Sequence, residues 1–140
     1  MLVPKKVKFR KWQSGRRSQV RREHKETRGI SMSFGSFGLK AESPARIKSN
    51  QIEAARRVIS RQVGKFGKVW IRVFPDRPIT QKGAEVPMGK GKGDPYAYCV
   101  EIFPGRILFE VDGVTPEIAR EALRKAGSKL PVKTRIIART

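Results

Sequence analysis

Residues 50–74 read NQIEAARRVISRQVGKFGKVWIRVF, and the spacing of the apolar side chains changes halfway along this stretch. In the first half they recur every three or four residues, which predicts the buried face of an α-helix. The residues on that face are Ile52, Ala55, Ile59 and Val63. Asn50 followed by Glu53 resembles a capping box at the start of this helix. In the second half, apolar residues occupy nearly both faces of residues 68–74, which predicts a strand inside a sheet.

Further strands are predicted on both sides of this unit. Residues 30–41 alternate apolar and small side chains, as in a half-buried strand whose glycines permit bending. Residues 96–103 and 106–112 have strand character, and the Pro-Gly pair between them predicts a tight turn that joins them as a hairpin. A last strand is predicted at 132–138, with basic residues on one side.

A second helix is predicted after Thr115, because threonine is a favoured N-cap and Pro116 fits the first helical position. Its buried stripe is predicted as Ile118, Ala122, Leu123 and Ala126. The order strand, helix, several strands, helix, strand predicts an α+β fold. We expect a single-domain sandwich of mainly antiparallel strands with two helices, since 140 residues suffice for one domain.

The charge of the chain predicts a polyanionic partner. Lys and Arg number 32 against 12 Asp and Glu, which gives a net charge of +20. A charge of this size favours nucleic acid. A membrane surface is the alternative, but we find no amphipathic helix with a broad apolar face and no apolar run of spanning length. The single cysteine, Cys99, has no partner at metal-ligand spacing and is predicted to be a small core residue.

Residues 1–29 are predicted to form a basic arm that precedes a folded domain at 30–140. The arm contains eleven Lys or Arg and two Glu, and it cannot bury a core by itself. A solvated tail is one interpretation, and an arm that becomes ordered on RNA is the one we favour. The cations predicted to bind RNA in this arm are Lys5, Lys6, Lys8, Arg10, Lys11, Arg16, Arg17, Arg21, Arg22 and Arg28.

The first predicted helix carries three arginines away from its apolar face. Arg56, Arg57 and Arg61 would point outward if the opposite face packs on a sheet. A solvated surface explains any one of them, whereas three on one helix of so basic a chain favour contact with the RNA backbone.

A long loop is predicted at about 79–95, where little periodicity is found between two strands. Its centre, MGKGKG at 88–93, combines glycines that allow close backbone approach with two lysines. A mobile linker is the alternative interpretation, but long loops in compact domains are usually functional. The residues predicted to contact RNA in the loop are Lys82, Met88, Gly89, Lys90, Gly91, Lys92 and Gly93.

Spacing argues against a nucleotide-binding or catalytic use of this loop. MGKGKG lacks the four-residue gap and the hydroxyl residue of a P-loop, and Asp94 and Pro95 follow it in place of a helix. The only histidine, His24, lies far in sequence from Cys99, so no nucleophile and base are paired. We therefore predict no catalytic residue, no metal site and no cofactor.

Seven blocks, in one order along nearly the whole chain, resemble the L-sixteen family of bacterial large-subunit ribosomal proteins. They are MLVPKKVKFRKW (1–12), FGSFGLKA (34–41), NQIEAARRVISR (50–61), GKVWIRVFPDRPIT (67–80), MGKGKG (88–93), PGRILFEVDGV (104–114) and EIAREALRKAGSKLPVKT (117–134). The resemblance implies a hammerhead-like strand arrangement, binding to 23S rRNA, and neighbouring large-subunit proteins as partners in the cytoplasmic ribosome. It also implies a place beside the A-site tRNA, with the loop reaching toward tRNA and the peptidyl-transferase region. No membrane and no small-molecule substrate are implied.

The chain departs from the family pattern in two places. Many relatives carry an arginine, hydroxylated in some, immediately before MGKGKG, whereas this chain has Pro87 and cannot carry that modification. Residues 14–28 are also longer and more densely charged than the corresponding family segment. A general RNA chaperone and a nucleotide-dependent enzyme remain the competing functional classes at this point.

Overall fold

The computed structural model describes residues 1–13 and 24–140. Within them the chain forms an α+β domain with two helices, as predicted, and it has seven strands. The strands are β1 (Phe37–Ala41), β2 (Ala45–Lys48), β3 (Lys68–Ile71), β4 (Arg77–Gln81), β5 (Asp94–Ile102), β6 (Ile107–Asp112) and β7 (Thr134–Ala138). The helices are α1 (Ser49–Val63) and α2 (Pro116–Gly127). Arg16, Arg17, Arg21 and Arg22 lie outside the described residues.

The strands form two antiparallel sheets. One has four strands in the order β3-β6-β1-β7, and the other has three in the order β2-β5-β4. Both helices cover one face of the four-stranded sheet. The core between them is apolar, and its fully buried members include Leu39, Ile52, Ala55, Ile59, Phe109, Val111, Ala119, Ala122, Leu123 and Ala126. All four residues predicted for the buried face of α1 are buried there.

The predicted hairpin at 96–112 is wrong. β5 pairs with β2 and β4, whereas β6 pairs with β1 and β3, so the Pro-Gly turn carries the chain from one sheet into the other. Gly105 has a φ of +105°, and the Arg106 N–H donates to the Phe103 carbonyl at 3.4 Å. The turn itself was predicted correctly. A turn pattern specifies local dihedral angles and leaves open whether the two strands pair.

Residues 24–30 pack on the outside of the Pro-Gly turn that joins the two sheets, here called the corner. The Glu26 N–H donates to the Pro104 carbonyl at 3.0 Å, and the Ile107 N–H donates to the Gly29 carbonyl at 2.9 Å. The ring of His24 meets the Phe103 ring edge-on, with centroids 4.8 Å apart. The C-terminal part of the predicted arm is therefore attached to the domain.

Several predicted element positions need correction. β3 is an edge strand and ends at Ile71, although its apolar residues on both faces predicted an internal one. Residues 30–36 form no strand, because only from Phe37 onward does the chain pair with β6 and β7.

The helix termini differ in detail from the predictions. Asn50 lies inside α1, where the side chain of Gln51 accepts from the backbone N–H of Lys48 at 2.9 Å, so the cap lies two residues earlier than predicted. In α2 the predicted N-cap at Thr115 is confirmed. Its buried stripe contains Ala119 in place of Ile118, which is exposed. The other three predicted members, Ala122, Leu123 and Ala126, are buried as expected.

The face of the four-stranded sheet opposite the helices, here called the open face, carries a buried ion pair. Glu110 on β6 is fully buried, and its Oε2 accepts from Arg72 at 2.8 Å. Its Oε1 accepts from the backbone N–H groups of Ser33 and Phe34 at 2.9 and 3.3 Å. Burial by itself would raise the pKa of Glu110, but the Arg72 guanidinium and the two N–H donors outweigh it, so the pKa lies below its ordinary value. This carboxylate attaches residues 31–36 to the sheet.

We predict that Glu110→Gln lowers the free energy of unfolding by about 3 kcal/mol at pH 7, because it removes one partner of a buried ion pair. Since the pKa of Glu110 is lower when folded than when unfolded, its contribution is present above the ordinary glutamate value of about 4.3 and is lost as the pH falls through the folded value. Urea denaturation at pH 7 and pH 3 measures both effects.

The matched control is Glu85→Gln, which changes an exposed carboxylate in the loop between β4 and β5. This substitution should leave the free energy of unfolding at pH 7 nearly unchanged. A difference between wild type and Glu110→Gln that stays the same from pH 7 to pH 3 would contradict the ion pair as the source of stability.

Candidate nucleic-acid interface

The loop between β4 and β5 covers residues 82–93, so the two strands occupy both ends of the predicted 79–95 range. Gly89 and Gly91 have φ values of +98° and +99°, and Lys90 between them has +55°. A left-handed turn of this kind requires glycine at most positions. At its tip Met88 is 99% exposed. Lys82 folds across the loop, and its Nζ donates to the Gly89 carbonyl.

Residues 1–13, here called the N-terminal segment, contact the base of this loop through residues 10–12. Lys11 Nζ donates to the Lys92 carbonyl at 3.0 Å, and Lys92 Nζ donates in return to the Trp12 carbonyl. Arg10 forms an ion pair with Asp94 at 3.2 Å, in which both side chains are mostly exposed. Residues 10–12 and the loop, predicted as separate candidate sites, are thus one basic surface.

Arg77 anchors the same segment and was missed by the sequence analysis. It is nearly buried at the start of β4 and donates to the Gln13 carbonyl at 3.1 Å. Its guanidinium lies 5.6 Å from the centre of the Trp12 ring and pairs with Glu101 at 2.9 Å. No sequence signal marks Arg77, since it lies between Asp76 and Pro78, in a segment whose composition predicts the end of a strand.

The remaining predicted cations of the N-terminal segment and the corner are on the surface. Lys5, Lys6, Lys8 and Arg28 are exposed, and Lys8 Nζ lies 5.5 Å from the centre of the Phe9 ring. Within residues 1–13 and 24–140 none of these four has a carboxylate within ion-pair distance. They are available to an anionic partner.

The arginines of α1 lie apart from the loop and are partly neutralised. Arg56 and Arg57 both bind Glu53, at 2.6 and 3.2 Å. Hydrogen bonding from Arg56, together with Arg57, lowers the pKa of Glu53 to about 2, so this carboxylate is ionised at neutral pH. Arg61 is exposed and has no ion-pair partner among the described residues.

Arg57 and Arg61 also line a groove of about 390 Å³ between the two helices. Lys125 and Lys129 of the α2 end face them across it, and Lys125 donates to Gln62 at 3.3 Å. Neither lysine was predicted as a site residue, because single cations at and just after the end of a helix resemble any solvated surface. Lys125 and Lys129 thus add a second row of positive charge beside the arginines of α1.

The buried cysteine and the distribution of potential metal ligands can be described for residues 1–13 and 24–140. Cys99 is fully buried as predicted, and burial raises the pKa of its thiol, so it is protonated at neutral pH. No cluster of three potential metal ligands occurs in the described part of the chain. None of the helices described is long and apolar enough to cross a bilayer.

An exposed lysine and glycine loop, braced by a basic N-terminal segment on a domain of net charge +20, defines a polyanion-binding protein. The family profile described as ribosomal protein L16p/L10e matches residues 4–137, and the chain belongs to this family. It is 55% identical to the large ribosomal subunit protein uL16 of Afipia carboxidovorans, over 99% of this chain and 98% of that one. It is also 55% identical to the protein of the same name from Halorhodospira halophila, over 100% of this chain and 98% of that one. The chain is therefore a ribosomal protein, a structural component and not an enzyme.

We predict that Trp12→Ala loosens the loop, because it removes the ring that packs on Arg77 and with it the anchor of residues 10–13. The heteronuclear ¹⁵N NOE values of Gly91 and Gly93 should fall, and the free energy of unfolding should drop by about 1 kcal/mol. Phe9→Ala is the control, since Phe9 is an exposed ring on the same segment and lies beside Lys8. Unchanged NOE values in Trp12→Ala would show that the segment does not brace the loop.

Proposed function

We propose that this chain, a structural constituent of the large ribosomal subunit, binds 23S rRNA and helps shape the A-site tRNA-binding region. The observation that carries the proposal is the basic surface formed by residues 1–13 and the loop at 82–93. Its cations are held in place by backbone carbonyl groups and one exposed aspartate, so most of their charge is left for an external anion. Phosphate groups of RNA match that requirement.

In this proposal the folded domain is a scaffold and the loop is its extended contact. The two strands that flank the loop are paired along their length, so its base is rigid while its tip projects into solvent. No helix follows the loop, and hence no helix dipole is available for a compact triphosphate. Lys90 and Lys92 on such a loop suit an extended RNA backbone, which supports contact with rRNA or tRNA. The arginines of α1 and the lysines across the groove would contact a separate stretch of RNA.

Binding to rRNA should depend strongly on salt. If about six to ten phosphates are neutralised, the affinity should fall by roughly three to five decades between 50 and 200 mM salt, because bound counterions are released. Filter binding of the purified protein to a 23S rRNA transcript measures this slope. Chemical footprinting in the same samples should protect one region of the transcript. Diffuse protection would favour a general RNA chaperone, and an affinity that does not change with salt would exclude the mechanism.

Removal of charge at the loop tip should weaken tRNA binding at the A site. In ribosomes assembled with Lys90→Ala we expect several-fold lower A-site occupancy, whereas Lys65→Ala, in the exposed turn after α1, should have little effect. Pro87→Arg should change occupancy by less than Lys90→Ala does, because Lys90 and Lys92 carry the positive charge near the tip. The reverse order of the two loop variants would show that the position before MGKGKG dominates.

A further inference from the structure

The open face of the four-stranded sheet carries Phe34, an aromatic side chain that is about half exposed and stacks beside a second ring. The Phe34 ring is nearly parallel to the Trp70 ring, at 16° and with centroids 5.9 Å apart, and Phe34 is 53% exposed. The Arg72 guanidinium lies 5.4 Å from the centre of the Phe34 ring. Trp70 lies on β3 and Arg72 directly follows the end of that strand, two residues further along, so both contact Phe34 from the side of the sheet.

This platform is held rigidly. The backbone N–H groups of Ser33 and Phe34 donate to Glu110, which also binds Arg72. Arg72 in turn donates to the Ser31 carbonyl at 3.3 Å. Glu110 on β6 and Trp70 on β3 are paired in the strand register, so the Glu110 carboxylate lies directly beside the Trp70 ring. A binding partner would therefore meet an aromatic surface whose conformation is already fixed, which reduces the entropy lost on binding.

Cations surround the platform, and the carboxylates of the face are engaged. The strand registers place Lys68 and Asp112 together at one end of the open face and Lys40 and Arg135 together at the other. Asp112 accepts from Ser36 Oγ and from the Gly113 N–H, both within 3 Å. Neither Lys40, Lys68 nor Arg135 forms an ion pair within the described residues. The face thus presents one aromatic ring and unpaired positive charge.

We propose that the open face binds unpaired nucleotides of RNA, with one base stacked on Phe34 and the flanking phosphates near Lys68 and Lys40. Base stacking on an aromatic side chain beside cations is the general means by which proteins hold single-stranded nucleic acid. The helices cover only the other face of this sheet, so the platform is accessible. This inference rests on the proposed RNA-binding function, but it concerns a different surface from the loop and α1.

Phe34→Leu tests the stacking directly, since leucine is apolar and of similar size but has no π-face. Fluorescence anisotropy with a labelled 12-nucleotide single-stranded RNA should show a dissociation constant raised about 5- to 150-fold, the range that corresponds to 1–3 kcal/mol per stacked base. Phe34→Tyr keeps the ring and should bind within about twofold of wild type. The slope of log Kd against log salt should be the same in all three proteins, because no phosphate contact is changed.

Two controls make the result specific. Phe66→Leu alters a ring that is 92% exposed and that, among residues 1–13 and 24–140, has no aromatic or cationic group packed on it, so its affinity should equal that of wild type. A 12-base-pair duplex RNA should bind wild type and Phe34→Leu equally, because its bases are already stacked. Thermal unfolding of each variant shows whether it is folded.

The outcomes separate this inference from the proposed function. If wild type binds neither RNA in a salt-dependent manner, the proposed function itself fails. If wild type binds and Phe34→Leu binds equally well, only the stacking site is overturned. The stacking site is also overturned if the RNA affinity of Phe66→Leu falls as much as that of Phe34→Leu. Normal RNA affinity of Phe34→Asp together with its failure to enter the large subunit would assign the face to a protein partner and overturn the inference.

Discussion

The carboxylate of Glu110 is the interaction on which much of this structure depends. It lies in the second strand of the four-stranded sheet, where it joins Arg72 to a stretch of chain without regular secondary structure. Without that carboxylate, the backbone N–H groups of Ser33 and Phe34 would lose their acceptor, and the guanidinium of Arg72 would lack its compensating charge. A chain with 32 basic and 12 acidic residues thus uses one of its few carboxylates to order the backbone.

The other carboxylates explain where the positive charge remains available. Glu53 and Glu121 are held on the helices by neighbouring arginines, and Glu101 pairs with Arg77 below the N-terminal segment. In the loop at 82–93 the only acidic residue is Glu85, and Lys82 and Lys92 bind backbone carbonyl groups. Within the described residues, carboxylates therefore neutralise more of the cations on the helices than of those at the loop and the N-terminal segment. A structural RNA-binding protein needs such an uneven distribution, since self-repulsion within the folded domain costs stability.

The parts of the fold that depend on neighbours in sequence were predicted well. The buried face of α1 follows from a 3.6-residue period, and the start of α2 follows from Thr115 and Pro116, because helices are stabilised by contacts within a few residues. The pairing of strands was predicted poorly. Whether residues 96–103 pair with 106–112, or whether β3 lies inside or at the edge of its sheet, depends on strands far away in sequence. The candidate site shows the same division: the lysines of the loop could be named, but Arg77 could not.

By itself the sequence determined the class of partner, the two helices, the loop and the family, because charge, local periodicity and the order of motifs are all written along the chain. Tertiary structure alone decided that the Pro-Gly turn joins two different sheets. It also decided that residues 10–13 contact the base of the loop and that Phe34 stacks beside Trp70. Each of these depends on contacts between residues more than thirty positions apart. Such contacts follow from how the sheets and helices pack, and no local pattern encodes them.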